Sequence, residues 1–204
     1  MSRNLVHLNG NVLCAVDTET TGLNAGFHDV IEVAILPLDS NFEPRKDIIP
    51  FNILLKPKRP DNIDKRAMDV NKIQLHDIMM NGFDPYFGAE LFEQWVEKLN
   101  LPTGKKIAPL CKNWPFDKSF IADWLGQRST EDFFFYHYRD LGPVANFVND
   151  CFDYRAEPPP FPKQSLAYIA NLLGVPHDQK HRALDDCILL AECYKRMVRK
   201  YRLL

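Results

Sequence analysis

Asn11–Leu23, NVLCAVDTETTGL, is a short apolar run that ends in two carboxylates. Val12 to Val16 are β-prone and uncharged, the composition of a strand buried on both faces. Asp17 and Glu19 stand two residues apart. If the strand continues through them, its period of two points both side chains to one side. A bland reading competes with this one, because Asp, Thr and Gly also start turns and cap helices. The choice therefore depends on what else the chain brings to the same edge.

The 204 residues are 46% hydrophobic and 25% charged, enough for one globular domain with a sizeable core spanning 1–204. No run approaches the roughly 18 apolar residues of a membrane span, and no signal-peptide pattern follows Met1, so the expected location is cytoplasmic and off the membrane. Five cysteines without a C-x-x-C pair argue against a disulfide framework or a structural zinc site. A net charge of −2 lacks the basic excess of a protein that coats nucleic acid. It remains compatible with an acidic site whose bound cations supply the positive field. Local basic groups occur at Lys56, Lys58 and Arg59, at Lys105 and Lys106, and from Lys195 to Arg202; most such runs are solvated faces.

Downstream of the first stretch, Val30–Leu38 and Ile48–Leu55 read as strands separated by turn residues, which with the first gives an antiparallel meander. Gly88–Leu99 carries Leu91, Phe92, Trp95, Val96 and Leu99 on one helical face. Lys105–Cys111 reads as a fourth strand, shortened by Pro109, and the aromatic run Phe133–Tyr138 as a fifth. Between them, KNWPFDKSFIADWL has Phe116, Phe120, Ile121 and Leu125 at helical spacing, which puts Asp117 in a first helical turn. Leu141–Phe152 reads as a helix, RAEPPPFPKQ as an ordered loop, and Ser165–Leu173 as a capped helix. In the final segment His181 stands five residues before Asp186. Five helical steps separate side chains by about 140°, so His181 is expected on the incoming loop and Asp186 inside the helix.

Three stretches together, DTETTGL, N-W-P-F-D at Asn113–Asp117 and H-R-A-L-D-D at His181–Asp186, resemble the motifs of the DEDD exonucleases. The His five before the last Asp resembles the DEDDh branch. Lys112 departs from the family pattern, which usually has His there. The resemblance runs from Val12 to about Met197 and implies an α/β, RNase H-like fold. Its sheet would be five-stranded and mixed, the first three strands antiparallel, with helices on both faces. It further implies removal of nucleoside 5′-monophosphates from the 3′ ends of single-stranded or frayed DNA or RNA. Asp17, Glu19, Asp117 and Asp186 would be metal ligands and His181 the general base.

The chemistry of that residue set agrees. Two bare carboxylates 4 Å apart repel by about 4 kcal/mol at an effective dielectric of 20, so four need cations. Oxygen ligands select hard ions, and two Mg²⁺ or Mn²⁺ ions can flank a phosphodiester. In relatives the backbone after the first acids holds the terminal nucleotide beside an apolar wedge; here these places are Thr20, Thr21, Gly22 and Leu23, with Leu23 the wedge. Asn113 and Trp114 are expected along the nucleotide's path, Trp114 either stacking on a base or packing in the core. Two other classes stay open: a phosphodiesterase acting on very short oligonucleotides, and a nucleic-acid-binding accessory protein with weak chemistry. The resemblance also leaves open a polymerase or repair partner.

Overall fold

The computed structural model describes residues 5–177 and 182–202. Five strands, β1 (Val12–Thr20), β2 (Val30–Pro37), β3 (Phe51–Leu54), β4 (Ile107–Cys111) and β5 (Arg139–Asp140), form one sheet in the order β3-β2-β1-β4-β5. The first three strands pair antiparallel, whereas β4 lies parallel to β1 and β5 parallel to β4. The helices are α1 (Lys65–Asn71), α2 (Leu75–Asn81), α3 (Pro85–Leu99), α4 (Trp114–Leu125), α5 (Gln127–Phe133), α6 (Leu141–Tyr154), α7 (Leu166–Leu172) and α8 (Ala183–Tyr201). This is the mixed five-stranded α/β architecture expected for an RNase H-like exonuclease fold.

The period of two along the strands sorts the core into two layers. Leu13 and Ala15 of β1, Ala34 and Leu36 of β2, and Ala108 and Leu110 of β4 face α6, α7 and α8. Their alternates Cys14, Val16, Val33, Ile35, Ile107 and Cys111 face α3 and α4. Small side chains dominate the first face, so α8 can lie close on the strands; the Cys187 thiol donates to the Ala34 carbonyl at 3.6 Å. The second face is aromatic: Phe92, fully buried, meets the rings of Phe51, Trp95, Trp124, Phe133 and Phe134 at centroid distances of 5.2–6.3 Å.

β1 continues through both acids to Thr20, which puts Asp17 and Glu19 on one side as the strand period requires, with its register shift only at Glu19/Thr20. Two strand expectations need correction. β3 begins at Phe51, directly after Pro50, which has no N–H to give a ladder. The aromatic run 133–138 is not a named strand: Phe133 closes α5, Phe134 makes a single bridge to Ile107 of β4 while its ring stacks on Phe92, and ladder pairing with β4 begins at Arg139–Asp140. Burial of rings in the aromatic layer, and not pleated alternation, explains that composition. Pro109 sits inside β4, where β5 pairs only with Leu110 and Cys111.

The loop 155–165 is ordered by Phe161, whose backbone N–H and carbonyl both bond the Asn149 side chain at 2.9 Å. Among the described residues no helix is long and apolar enough to cross a membrane. Phe92→Ala should lower stability by about 3–5 kcal/mol in denaturant titration, while the 73%-exposed Leu23→Ala should stay within about 0.5 kcal/mol. A Phe92 effect under about 1 kcal/mol would contradict the packing described.

Candidate active site

Asp17 pairs with Ala34 and Glu19 with Glu32 across β1 and β2, which puts Asp17, Glu19 and Glu32 on the sheet face covered by α8. Asp186 enters that face from the first turn of α8. Carboxylate oxygens of Asp17, Glu19 and Asp186 lie within 4.8 Å of one another. Asp117, in the first turn of α4, stands beside this trio and is held by the Thr18 hydroxyl, which donates to its Oδ1 at 2.8 Å. Two of the four acids thus occupy helix N-termini, where the peptide dipoles favour negative charge.

That help is incomplete. Burial, followed by the charges of Asp117, Glu19 and Asp186, raises the Asp17 pKa well above the usual carboxylate range. Glu19 is pushed from 4.5 to about 8 by burial, then by Asp186 and Glu32. Asp117 is pushed to about 7 by burial, with the Thr18 hydrogen bond opposing. A hard divalent cation answers the constraint, since the donors are all carboxylate oxygens and their crowding is relieved by positive charge. The residues present fit such an ion.

The helix starts are fixed by capping. Asn113 adopts a left-handed backbone (φ 73°) and its side chain does not cap α4. Instead, buried Asp140 accepts from the N–H groups of Asn113 (2.9 Å) and Trp114 (3.1 Å) through Oδ2, and from Gly142 N–H (3.0 Å) through Oδ1. One carboxylate therefore sets the starts of both α4 and α6. Glu32, 1% exposed, accepts two hydrogen bonds from Arg182 Nε and one from Nη2, plus one from the Ala183 N–H. Thr18, Glu32, Asp140 and Arg182 were not singled out by the sequence motifs. Only Glu32, an acid in an otherwise apolar strand, carries a readable signal.

The expected substrate residues divide. Leu23 is 73% exposed and Asn113 is exposed, both open to a ligand. Gly22 is obligatory locally, because a Cβ there would come within 2.1 Å of the buried His28 ring. Thr20 and Thr21 turn their side chains inward. The Thr20 hydroxyl donates to the Gly22 carbonyl at 2.6 Å, and Thr21 Oγ1 accepts from Asp29 N–H at 2.9 Å. Trp114 is a correction: at 3% exposure it packs against Phe134 and Tyr138 and cannot stack on a base, because the aromatic layer claims its ring. His181 lies outside the described residues. Lys58 and Arg59 pair with Asp123, Arg59 also with Asp29, and Lys195 with Glu192 and Glu43, so these cations are partly spent within the fold.

An exonuclease family model, described as RNase_T, matches residues 14–194. The chain belongs to this exonuclease family. Among solved structures it is similar to cell-death related nuclease 4 (CRN-4), at 26% identity and TM-score 0.71 over 94% of this chain and 64% of that one. It also resembles E. coli exonuclease I in a zinc-bound complex with single-stranded DNA, at 17% identity and TM-score 0.71 over 95% of this chain and 41% of that one. A third is a 3′-exonuclease recognising the 3′ end of a histone mRNA stem-loop, at 16% identity and TM-score 0.65, covering 94% and 64%. At these lower identities the likeness shows the fold. The chain spans 41–64% of the length of these three structures. No sequence match is found among curated proteins.

Raised carboxylate pKa values have a defined consequence for this member of the exonuclease family. Protons bind the folded form of Glu19 and Asp117 more tightly than the unfolded form, so stability is greatest at low pH and is lost as pH rises toward about 7 and 8. In chelator, the melting temperature should therefore fall between pH 5 and pH 8, and Asp17→Asn should recover part of the loss at pH 8. Mn²⁺ should also recover it for the wild type. A melting temperature independent of pH across that window would remove the claim that these acids repel.

Proposed function

We propose that this chain is a DEDDh-type 3′→5′ exonuclease, a single catalytic domain over 1–204 that hydrolyses phosphodiester bonds at the 3′ ends of single-stranded or frayed nucleic acid. The observation that carries the proposal is the convergence of Asp17, Glu19 and Asp186 within 4.8 Å, beside Asp117, in a chain of the exonuclease family. Asp17, Glu19, Asp117 and Asp186 are the residues that would hold two Mg²⁺ or Mn²⁺ ions. When bound, these ions supply charge neutralisation and Lewis acidity at the scissile phosphodiester.

The chain's own residues supply the rest. Leu23, exposed on the loop after the acids, packs beside the terminal base; burying a leucine is worth about 1.5–3 kcal/mol, enough to seat a nucleotide. Gly22 lets that loop approach closely, and Asn113 borders the path at the start of α4. His181 takes the proton from the attacking water, the role for which histidine is the commonest side chain. Single-stranded DNA in complexes of E. coli exonuclease I, and the RNA stem-loop end bound by the 3′-exonuclease neighbour, support nucleic-acid 3′ ends as the substrate class.

A time course on 3′-labelled and 5′-labelled single-stranded DNA and RNA tests the reading. Immediate release of labelled mononucleotide from the 3′-labelled strand, in Mg²⁺ or Mn²⁺ but not in chelator, is the expected result. Release from the 5′ end first, or turnover in chelator, would overturn it. His181→Ala should lower kcat by about 10² to 10⁴ with Mn²⁺ binding retained, whereas His177→Ala should change little. A larger defect in the His177 variant would exclude His181 as the base.

A further inference from the structure

Glu32 is a fifth carboxylate at the acid site and has no part in the chemistry so far. It lies directly across the β1–β2 ladder from Glu19, where cross-strand side chains are close enough for like charges to repel. It is 1% exposed, more deeply buried than Asp117. Its neutralisation comes from Arg182, which reaches both carboxylate oxygens at 2.8–3.2 Å, and the Ala183 N–H donates to Oε2 at 3.2 Å. Arg182 is the N-cap residue of α8, its own side chain caps nothing, and its carbonyl accepts the Asp186 N–H at 2.9 Å.

We propose that Glu32 and Arg182 form a positioning clamp that sets where α8 begins, and through it the place of the Asp186 carboxylate in the acid site. The inference rests on the metal-site reading above. Glu32 grips side chain and backbone on either side of the residue 182–183 peptide, and the first hydrogen-bonded turn of α8 returns from Asp186 to Arg182. Strand β2 is thereby tied to the helix that supplies the third carboxylate of the trio. An ion pair whose carboxylate is buried and whose guanidinium is half exposed is a poor source of stability, because desolvating Glu32 and solvent screening of Arg182 offset most of the Coulomb gain, so its place here is explained by geometry. Arg182 also directly follows the proposed base, His181, in the sequence. Its charge lowers the pKa of Glu19, against the larger upward push of burial and neighbouring acids.

The two halves of the clamp carry opposite charge, which separates positioning from simple electrostatics. Glu32→Gln removes a negative charge beside the site and Arg182→Gln removes a positive one. If charge alone mattered, Mn²⁺ would bind more weakly to the first variant and more tightly to the second. The clamp requires both to bind more weakly, by about 10- to 100-fold, as outer-shell partners of metal ligands do, and the double variant to be little worse than either single. Calorimetric Mn²⁺ titration without nucleic acid reads this, with kcat and KM measured alongside. kcat should fall in both variants while KM for a short oligonucleotide stays within about twofold. Arg182→Lys keeps the charge but loses the two-pronged grip, and should recover only part of the affinity.

Asp17→Ala is measured in the same series. If Asp17→Ala binds Mn²⁺ like the wild type, the metal-site reading fails and the clamp with it. If Asp17→Ala loses Mn²⁺ while Arg182→Gln gains affinity or keeps it, only the clamp is overturned. Should Arg182→Gln fail to fold, Arg182→Lys decides: wild-type affinity overturns the clamp, and weakened affinity with a native-like melting temperature supports it.

Discussion

Like charge held together in a partly dry place is the constraint around which this molecule is built. Carboxylates within 4.8 Å repel by about 3.5 kcal/mol per pair at an effective dielectric of 20, a large fraction of the stability of an ordinary domain. A fold that leaves such a cluster uncompensated works against itself. Here compensation is distributed: dipoles at the starts of α4 and α8, the Thr18 hydroxyl on Asp117, and Arg182 opposite Glu32. Burial first, and for Asp17 and Glu19 then the neighbouring acids, raises the pKa of Asp17, Glu19 and Asp117, and a divalent cation is a species that would offset both causes.

The sheet makes the gathering possible. β1 is the central strand, paired on both edges, and its period of two sends Asp17 and Glu19 to the α8 face. Thr18, between them, points to the opposite face and there meets Asp117. The alanines and Cys187 on the α8 face let the helix lie low enough for Asp186 to reach the other two acids. On the far face, the aromatic layer around Phe92 holds α3 and α4 firmly, and α4 presents Asp117. Asp140 links the starts of α4 and α6, so the acid-bearing end of α4 is tied to the sheet at β5.

Much of this was legible from sequence because the signals are local. The uncharged run before Asp17 and the helical spacing after Asp117 and around Asp186 each show in a window of about a dozen residues. The meander and the face of α3 were readable for the same reason. What was not legible depends on contacts distant in sequence. The aromatic run at 133–138 has strand composition, yet Phe133 and Phe134 serve the ring layer built on Phe92, which no local pattern reveals. Trp114 sits next to an exposed Asn113 in a motif, and only the packed structure shows its ring turned to Phe134 and Tyr138. Asp140 and Glu32 act across 26 or more and about 150 residues of chain, capping or pinning helices whose ends lie elsewhere in the sequence.

The most direct test of the account is to locate the cation. Crystals grown or soaked with Mn²⁺ and measured for anomalous scattering should show a peak whose nearest protein atoms are carboxylate oxygens of Asp17, Glu19 and Asp186, within about 2.6 Å. A clear Mn²⁺ site elsewhere on the protein with none among these acids, at Mn²⁺ concentrations that support hydrolysis, would contradict the claim that the carboxylate cluster exists to hold metal.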